Sequence, residues 1–106
     1  MNELSIGHFV LNTNKQSLLY IADNGTTTGR KLSFREASIL GILIEAQGEI
    51  VENRRLLLEF WGSDTVYNLN CLYVFMSRMK QVLAADSSLS IINVRGIGYR
   101  LIQDET

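Results

Sequence analysis

The stretch whose reading decides the fold is Asn70 to Leu83, NCLYVFMSRMKQVL. On a 3.6-residue period, Leu72, Met76, Met79 and Leu83 fall on one side, with Leu69 just before them. Asn70, Val74, Ser77 and Gln81 fall on the other side, with Tyr73 and Arg78 at its two edges and Lys80 on the flank. One side is apolar enough to anchor a helix on a core, and the other is small, polar and basic. No acidic residue occurs between Asp64 and Asp86, whereas an ordinary solvated helix mixes Glu with Lys. A helix that approaches phosphates should lack carboxylates on that side, because each would repel the backbone it meets. A core helix that merely lacks acids fits this stretch equally well, so its surroundings must decide.

Working outward, the connection Gly62–Asn68, GSDTVYN, leads back to a shorter helix from about Asn53 to Trp61. Leu56, Leu57, Phe60 and Trp61 are expected inward, Gly62 ends it, and Asn53 is a better cap than Glu52. Two helices joined by a loop, the second with a basic face, have helix-turn-helix organisation with a long turn. Before them, Ser33-Phe34-Arg35-Glu36 reads as a capping box opening a helix to about Ala46. Phe34, Ala37, Leu40 and Ile44, and partly Ile39 and Leu43, give that helix a wide apolar face. Gly41 within it suggests close packing by a neighbour. Ile50-Val51 can add a short strand.

The first part of the chain looks like a small antiparallel sheet of Leu4–Ile6, Phe9–Leu11, Ser17–Ile21 and Arg30–Leu32, separated by turn chemistry. The loop Asp23 to Gly29 has no phosphate-binding pattern and reads as a flexible connection. Downstream, Ala84–Ser90 is a polar linker. Ile91–Val94 and Tyr99–Ile102 then flank a Gly-rich turn as a β-hairpin with Arg95 at its tip. Gly96 and Gly98 are expected to supply the backbone angles of that tip.

The 106 residues are 46% hydrophobic and 20% charged, the balance of one globular domain spanning 1–106 and structured over about 4–102. One cysteine, Cys71, and one histidine, His8, exclude an internal disulfide and a zinc site of the usual Cys/His kind. No apolar run approaches the ~20 residues of a membrane span, and Asn2 and Glu3 stand where a signal peptide would be basic. A cytoplasmic location is expected. The net charge of −1 and isoelectric point of about 5.7 hide an asymmetry. Residues 1–65 hold six basic and eight acidic side chains, whereas residues 66–102 hold Arg78, Lys80, Arg95 and Arg100 against Asp86 alone. Such asymmetry, rather than the total, is the electrostatic sign of a nucleic-acid surface.

No catalytic constellation is visible. Gly96-Ile97-Gly98 lacks the further glycine, the Lys-Ser/Thr pair and the following helix of a nucleotide loop. Cys71 has no base placed to activate it and reads as a small, partly buried residue. His8 reads as a packed or surface histidine. Glu45, Glu49, Glu52 and Glu59 are spread along solvated faces. Neither an enzyme nor a cofactor is expected.

In this order of elements, the chain resembles the winged-helix effector domain of OmpR/PhoB-type bacterial response regulators, from about Leu4 to Ile102. The residues that carry the resemblance are Leu32 to Glu36, Leu56-Leu57 with Phe60-Trp61-Gly62, Val74 to Leu83, and the hairpin Val94-Arg95-Gly96-Ile97-Gly98-Tyr99-Arg100. The resemblance implies an α+β winged helix-turn-helix: a four-stranded antiparallel N-terminal sheet, three helices and a C-terminal β-hairpin wing. It implies sequence-specific binding of double-stranded DNA at direct-repeat sites, with the third helix in the major groove and the wing at the minor groove. By position, Asn70, Tyr73, Val74, Ser77, Arg78 and Gln81 would face the groove. Lys80 and Asn93 would meet the backbone, and Arg95 would be the wing contact. Chemistry supports these roles, since Arg forks onto guanine, Val meets a thymine methyl and Lys suits phosphate. Asp64 and Tyr67, in the connecting loop, would be a contact for RNA polymerase.

The resemblance further implies a receiver domain and a histidine kinase in the full-length protein, although such effector domains also occur in one-component and membrane-anchored regulators. A winged helix used only for protein–protein contact is the competing reading. The sequence departs from the family at Tyr73 and Phe75, usually Asp and His, at Asn70, often Arg, and at Asn93, often Thr. Phe75 is expected to pack rather than to read DNA.

Overall fold

The computed structural model describes residues 3–104; residues 1, 2, 105 and 106, the ends of the expected 1–106 span, lie outside the described residues. Strands β1 (Glu3–Ile6), β2 (Phe9–Asn12), β3 (Ser17–Ile21) and β4 (Thr27–Lys31) form an antiparallel sheet in that order. Helices α1 (Phe34–Glu45), α2 (Asn53–Trp61) and α3 (Val66–Leu83) follow, with the two-residue strand β5 (Val51–Glu52) between the first two. Strands β6 (Leu89–Val94) and β7 (Gly98–Gln103) close the chain as a hairpin, and β5 joins the free side of β7 to give the order β5-β7-β6.

The elements form where the local chemistry directs. Ser33 caps α1 by accepting the Glu36 amide at 3.1 Å, and the Glu36 carboxylate accepts the Ser33 amide at 2.7 Å, the full capping box. The inward stripe of α3 is the expected one, with Leu72, Met76, Met79 and Leu83 all buried. Each of these side chains contributes roughly 1.5–3 kcal/mol on burial. They share one core with Ile39, Leu40 and Leu43 of α1, Leu56 and Leu57 of α2, Leu11 and Leu18 of the first sheet, and Tyr99 and Leu101 of the hairpin.

Several boundaries differ from expectation. α3 begins four residues earlier, because Thr65 caps it by accepting the Asn68 amide at 3.2 Å while the Asn68 side chain ties back to Ser63. The connection is therefore Gly62–Thr65, and Tyr67 and Asn68 are helical. β4 starts at Thr27 rather than Arg30, so the flexible loop is shorter. Cross-strand pairing, which no local periodicity announces, sets β5 at Val51–Glu52, β6 from Leu89 and β7 from Gly98.

Side-chain placements also differ. Asn53 does not cap α2: Glu52 is the cap residue, with no side-chain bond, and Asn53 is the first helical residue. Its amide is taken by the Ile97 carbonyl at 2.9 Å. Phe34 is 68% exposed instead of joining the apolar face, since it is the first residue of α1 and lies between the exposed Ser33 and Arg35. Phe60 and Trp61 do pack against the core, but only half-buried. Gly96 does take a positive φ of 78° at the hairpin tip, but Gly98 does not. Gly98 is required by proximity, since a Cβ there would collide with the Val51 carbonyl oxygen.

Candidate nucleic-acid interface

The exposed side of α3 carries Val66, Tyr67, Asn70, Tyr73, Val74, Ser77, Arg78, Lys80 and Gln81. The helix places all six expected groove residues on this side because the opposite stripe is spent on the core. Their 3.6-residue spacing brings them onto one continuous surface. Lys80 lies in the last turn of α3, where a cation also complements the helix dipole.

The two edges of this surface have different neighbours. On one edge, Tyr73 leans towards the hairpin tip and lines a cleft of about 380 Å³ with Asn53, Arg54, Gly96 and Ile97. Its phenol lies near that of Tyr99, whose pKa burial and then the neighbouring Tyr73 push up to about 12. The Asn53 Oδ1 is buried there and has no hydrogen-bond partner among the described residues. On the other edge, Arg78 lines the clefts towards the start of α1.

The hairpin presents Arg95 in solvent beside Gly96, with Ile97 about half exposed. Asn93 is exposed and stands opposite Tyr99 across the hairpin. Asp64 and Tyr67 part company. Asp64 sits in the short connection, 3.6 Å from Arg54 Nε, whereas Tyr67, 76% exposed beside an equally exposed Val66, belongs to the first turn of α3.

Packing behind the surface accounts for one departure. Phe75 meets Trp61 edge-on at 6.0 Å between ring centroids, and the Arg35 guanidinium lies 4.3 Å from the Trp61 ring on α2. Arg35 also donates to the Phe60 carbonyl at 2.8 Å, so α1, α2 and α3 are joined through one aromatic group. Phe75 is thus a packing residue, as expected, and Cys71 is half-buried.

Sequence reasoning missed a polar cluster at the back of α3. Asp86, in the supposed linker, is buried and accepts from His8 and Ser88. Its only sequence signal was an isolated acid after an acid-free helix. No helix is long and apolar enough to cross a membrane, and no cluster of metal-binding side chains occurs among the described residues.

Residues 27–101 match the family model described as "Transcriptional regulatory protein, C terminal". The chain is 35% identical over 104 residues to the transcriptional regulatory protein RprY of Bacteroides fragilis, covering 98% of this chain and 42% of RprY. It thus spans less than half the length of that curated relative. Among solved structures, the DNA-binding domain of CpxR from E. coli superposes with a TM-score of 0.79 at 21% identity, covering 99% of this chain and all of that one. The C-terminal domain of NsrR, a lantibiotic response regulator, superposes at 0.70 with 31% identity, covering 98% of this chain and all of that domain. With its four-stranded sheet, three helices and hairpin in the expected order, the chain belongs to the family of transcriptional regulatory protein C-terminal domains, the winged-helix effector domains of OmpR/PhoB type.

Proposed function

We propose that this domain regulates transcription by sequence-specific binding of duplex DNA, with α3 in the major groove and the β6–β7 tip at the minor groove. The observation that carries this reading is the acid-free exposed side of α3, flanked by a hairpin that ends in an exposed arginine. Asn70, Tyr73, Val74, Ser77, Arg78 and Gln81 face the bases, and Lys80 and Asn93 hold the backbone. Arg95 enters the minor groove, where a cation senses width.

Few cations make this surface, so affinity for random duplex is weak and moderately dependent on salt. With ~4 phosphates neutralised, log K against log salt falls with a slope near about −4. A fluorescence titration of the domain with a short duplex over a salt series tests the reading. Absence of binding at low salt, or binding indifferent to salt, would favour a protein-contact module instead.

The domain is a monomer that pairs on direct-repeat DNA. In the whole protein, which works in the cytoplasm, a receiver domain phosphorylated by a histidine kinase governs that pairing. The exposed Val66 and Tyr67, with Asp64 beside them, are the surface for RNA polymerase.

A further inference from the structure

The charge of the N-terminal half gives no hint of a DNA surface, but its last strand brings one cation against α3. In the β3–β4 register, Arg30 stands opposite Leu18. Directly opposed residues share a face of the sheet. Leu18 is buried, so that face is the one packed on the helices. β4 is an edge strand and all five of its residues are exposed, so Arg30 reaches past the core instead of into it. There it lines a cleft of about 210 Å³ with Glu36, Arg78, Gln81 and Val82.

The charges in this cleft do not balance. Two guanidinium groups face one carboxylate, and that carboxylate already accepts the Ser33 amide. Neither arginine side chain has an ion-pair or hydrogen-bond partner among the described residues. The cleft also lies on a particular side. The Tyr73 edge of α3 faces the hairpin tip, and the Arg78 edge faces Arg30. A helix in a major groove about 12 Å wide has a phosphate strand along each flank.

From this placement we infer that Arg30 is a DNA-backbone clamp: the cleft between β4 and α3 takes a phosphate on the flank of α3 away from the wing. The inference rests on the DNA-reading function proposed above. A phosphodiester supplies the missing negative charge, and guanidinium groups bind phosphate through paired N–H donors. Arg30 thereby adds backbone affinity beside Arg78 and Gln81 without itself reading a base.

The test uses the purified domain, a duplex selected from a random pool and an unselected duplex, each over a salt series. Arg30→Ala, Arg30→Lys and Lys15→Ala are compared, Lys15 being an exposed cation in the β2–β3 turn outside the cleft. Arg30→Ala should weaken both duplexes alike, by on the order of fivefold to tenfold at 0.1 M salt, and make the slope shallower by about one. Arg30→Lys should restore the slope, and Lys15→Ala should behave as wild type. Equal melting temperatures of the variants separate contact loss from unfolding. Binding by Arg30→Ala with wild-type affinity and slope would overturn the clamp while leaving the DNA reading intact. A loss confined to the selected duplex would assign Arg30 to base reading and overturn it too. Wild-type protein without salt-dependent binding would overturn both.

Discussion

The Nδ1 atom of His8 stands 3.0 Å from the Oδ2 of Asp86, a residue 78 positions further along the chain. The same oxygen accepts the His8 amide at 2.8 Å, and the other accepts the amide and hydroxyl of Ser88 at 2.9 and 2.7 Å. Gly7 must be glycine here, both for its φ of 55° and because a Cβ would run into Asp86. The β1–β2 turn is thereby fixed to the end of α3, and Nε2 of the same imidazole meets Asp23 at 2.8 Å.

This cluster predicts opposite pH responses from its two members. Hydrogen bonds to Asp86 and then Asp23 raise the His8 pKa above 6.5. Its contribution to stability is therefore full below about pH 6.5 and fades as pH rises through the raised value. Burial pushes the Asp86 carboxyl up, but the bonds from Ser88 and His8 outweigh it and hold it below 3.8. Its contribution is present above that value and fades as pH falls below it. Thermal unfolding of wild type and His8→Gln across this range should show wild type losing its advantage above about pH 6.5. A gap independent of pH refutes the coupling. Asp86→Asn should lose about 2–3 kcal/mol near neutrality, since an amide must turn a donor towards donors.

Two glycines should respond oppositely to the same change. At Gly98 a methyl group meets the backbone of β5, so Gly98→Ala should lose about 1–3 kcal/mol and loosen the β5–β7 pairing. At Gly41 it would lie 3.5 to 3.7 Å from Thr13, Leu4 and Leu11, ordinary contact distances. Gly41→Ala should then gain up to about 1 kcal/mol from helix propensity. Denaturant unfolding distinguishes the two.

On DNA, Arg78, Lys80 and Arg95 should separate by role. Arg78→Ala should lose about 1–3 kcal/mol and relax specificity at one position. Lys80→Ala should weaken all sequences alike and make the salt slope shallower by about one. Arg95→Ala should hurt most on sites with an A·T-rich segment beside the helix contacts. Equal losses for Arg78→Ala and Lys80→Ala on every duplex would remove Arg78 from the base readers.

At the surface proposed for RNA polymerase, Asp64→Ala and Tyr67→Ala should lower transcription from a regulated promoter while leaving DNA affinity unchanged. Asp64 lies in an exposed ion pair with Arg54 that is worth little to stability, so its loss should not disturb α3. Transcription unchanged in both variants would reduce this corner to a connector.

What could be read from the sequence followed the length of its patterns. The buried stripe of α3 and the capping box of α1 are local, repeated or reciprocal, and both stand as expected. The start of α3 was missed because Thr65 and Asn68 act through a hydroxyl and an amide, outside any apolar period. Gly98 was assigned to turn geometry because its real constraint, the Val51 backbone, lies far away in the chain. Arg30 was counted into an acidic half for the same reason: only strand pairing carries it to the side of Arg78.

The edge position of β4 has a bearing on solubility. Its outer row of amides and carbonyls has no neighbouring strand among the described residues and is a template for another chain. Adjacent Arg30 and Lys31 set like charges against any second copy that docks edge to edge, and Gly29 weakens the strand. Replacing both cations by Thr or Val would create a neutral, β-prone edge, and the protein should then precipitate at concentrations where wild type stays dispersed. A residue that grips nucleic acid would in this way also keep the domain from associating with itself.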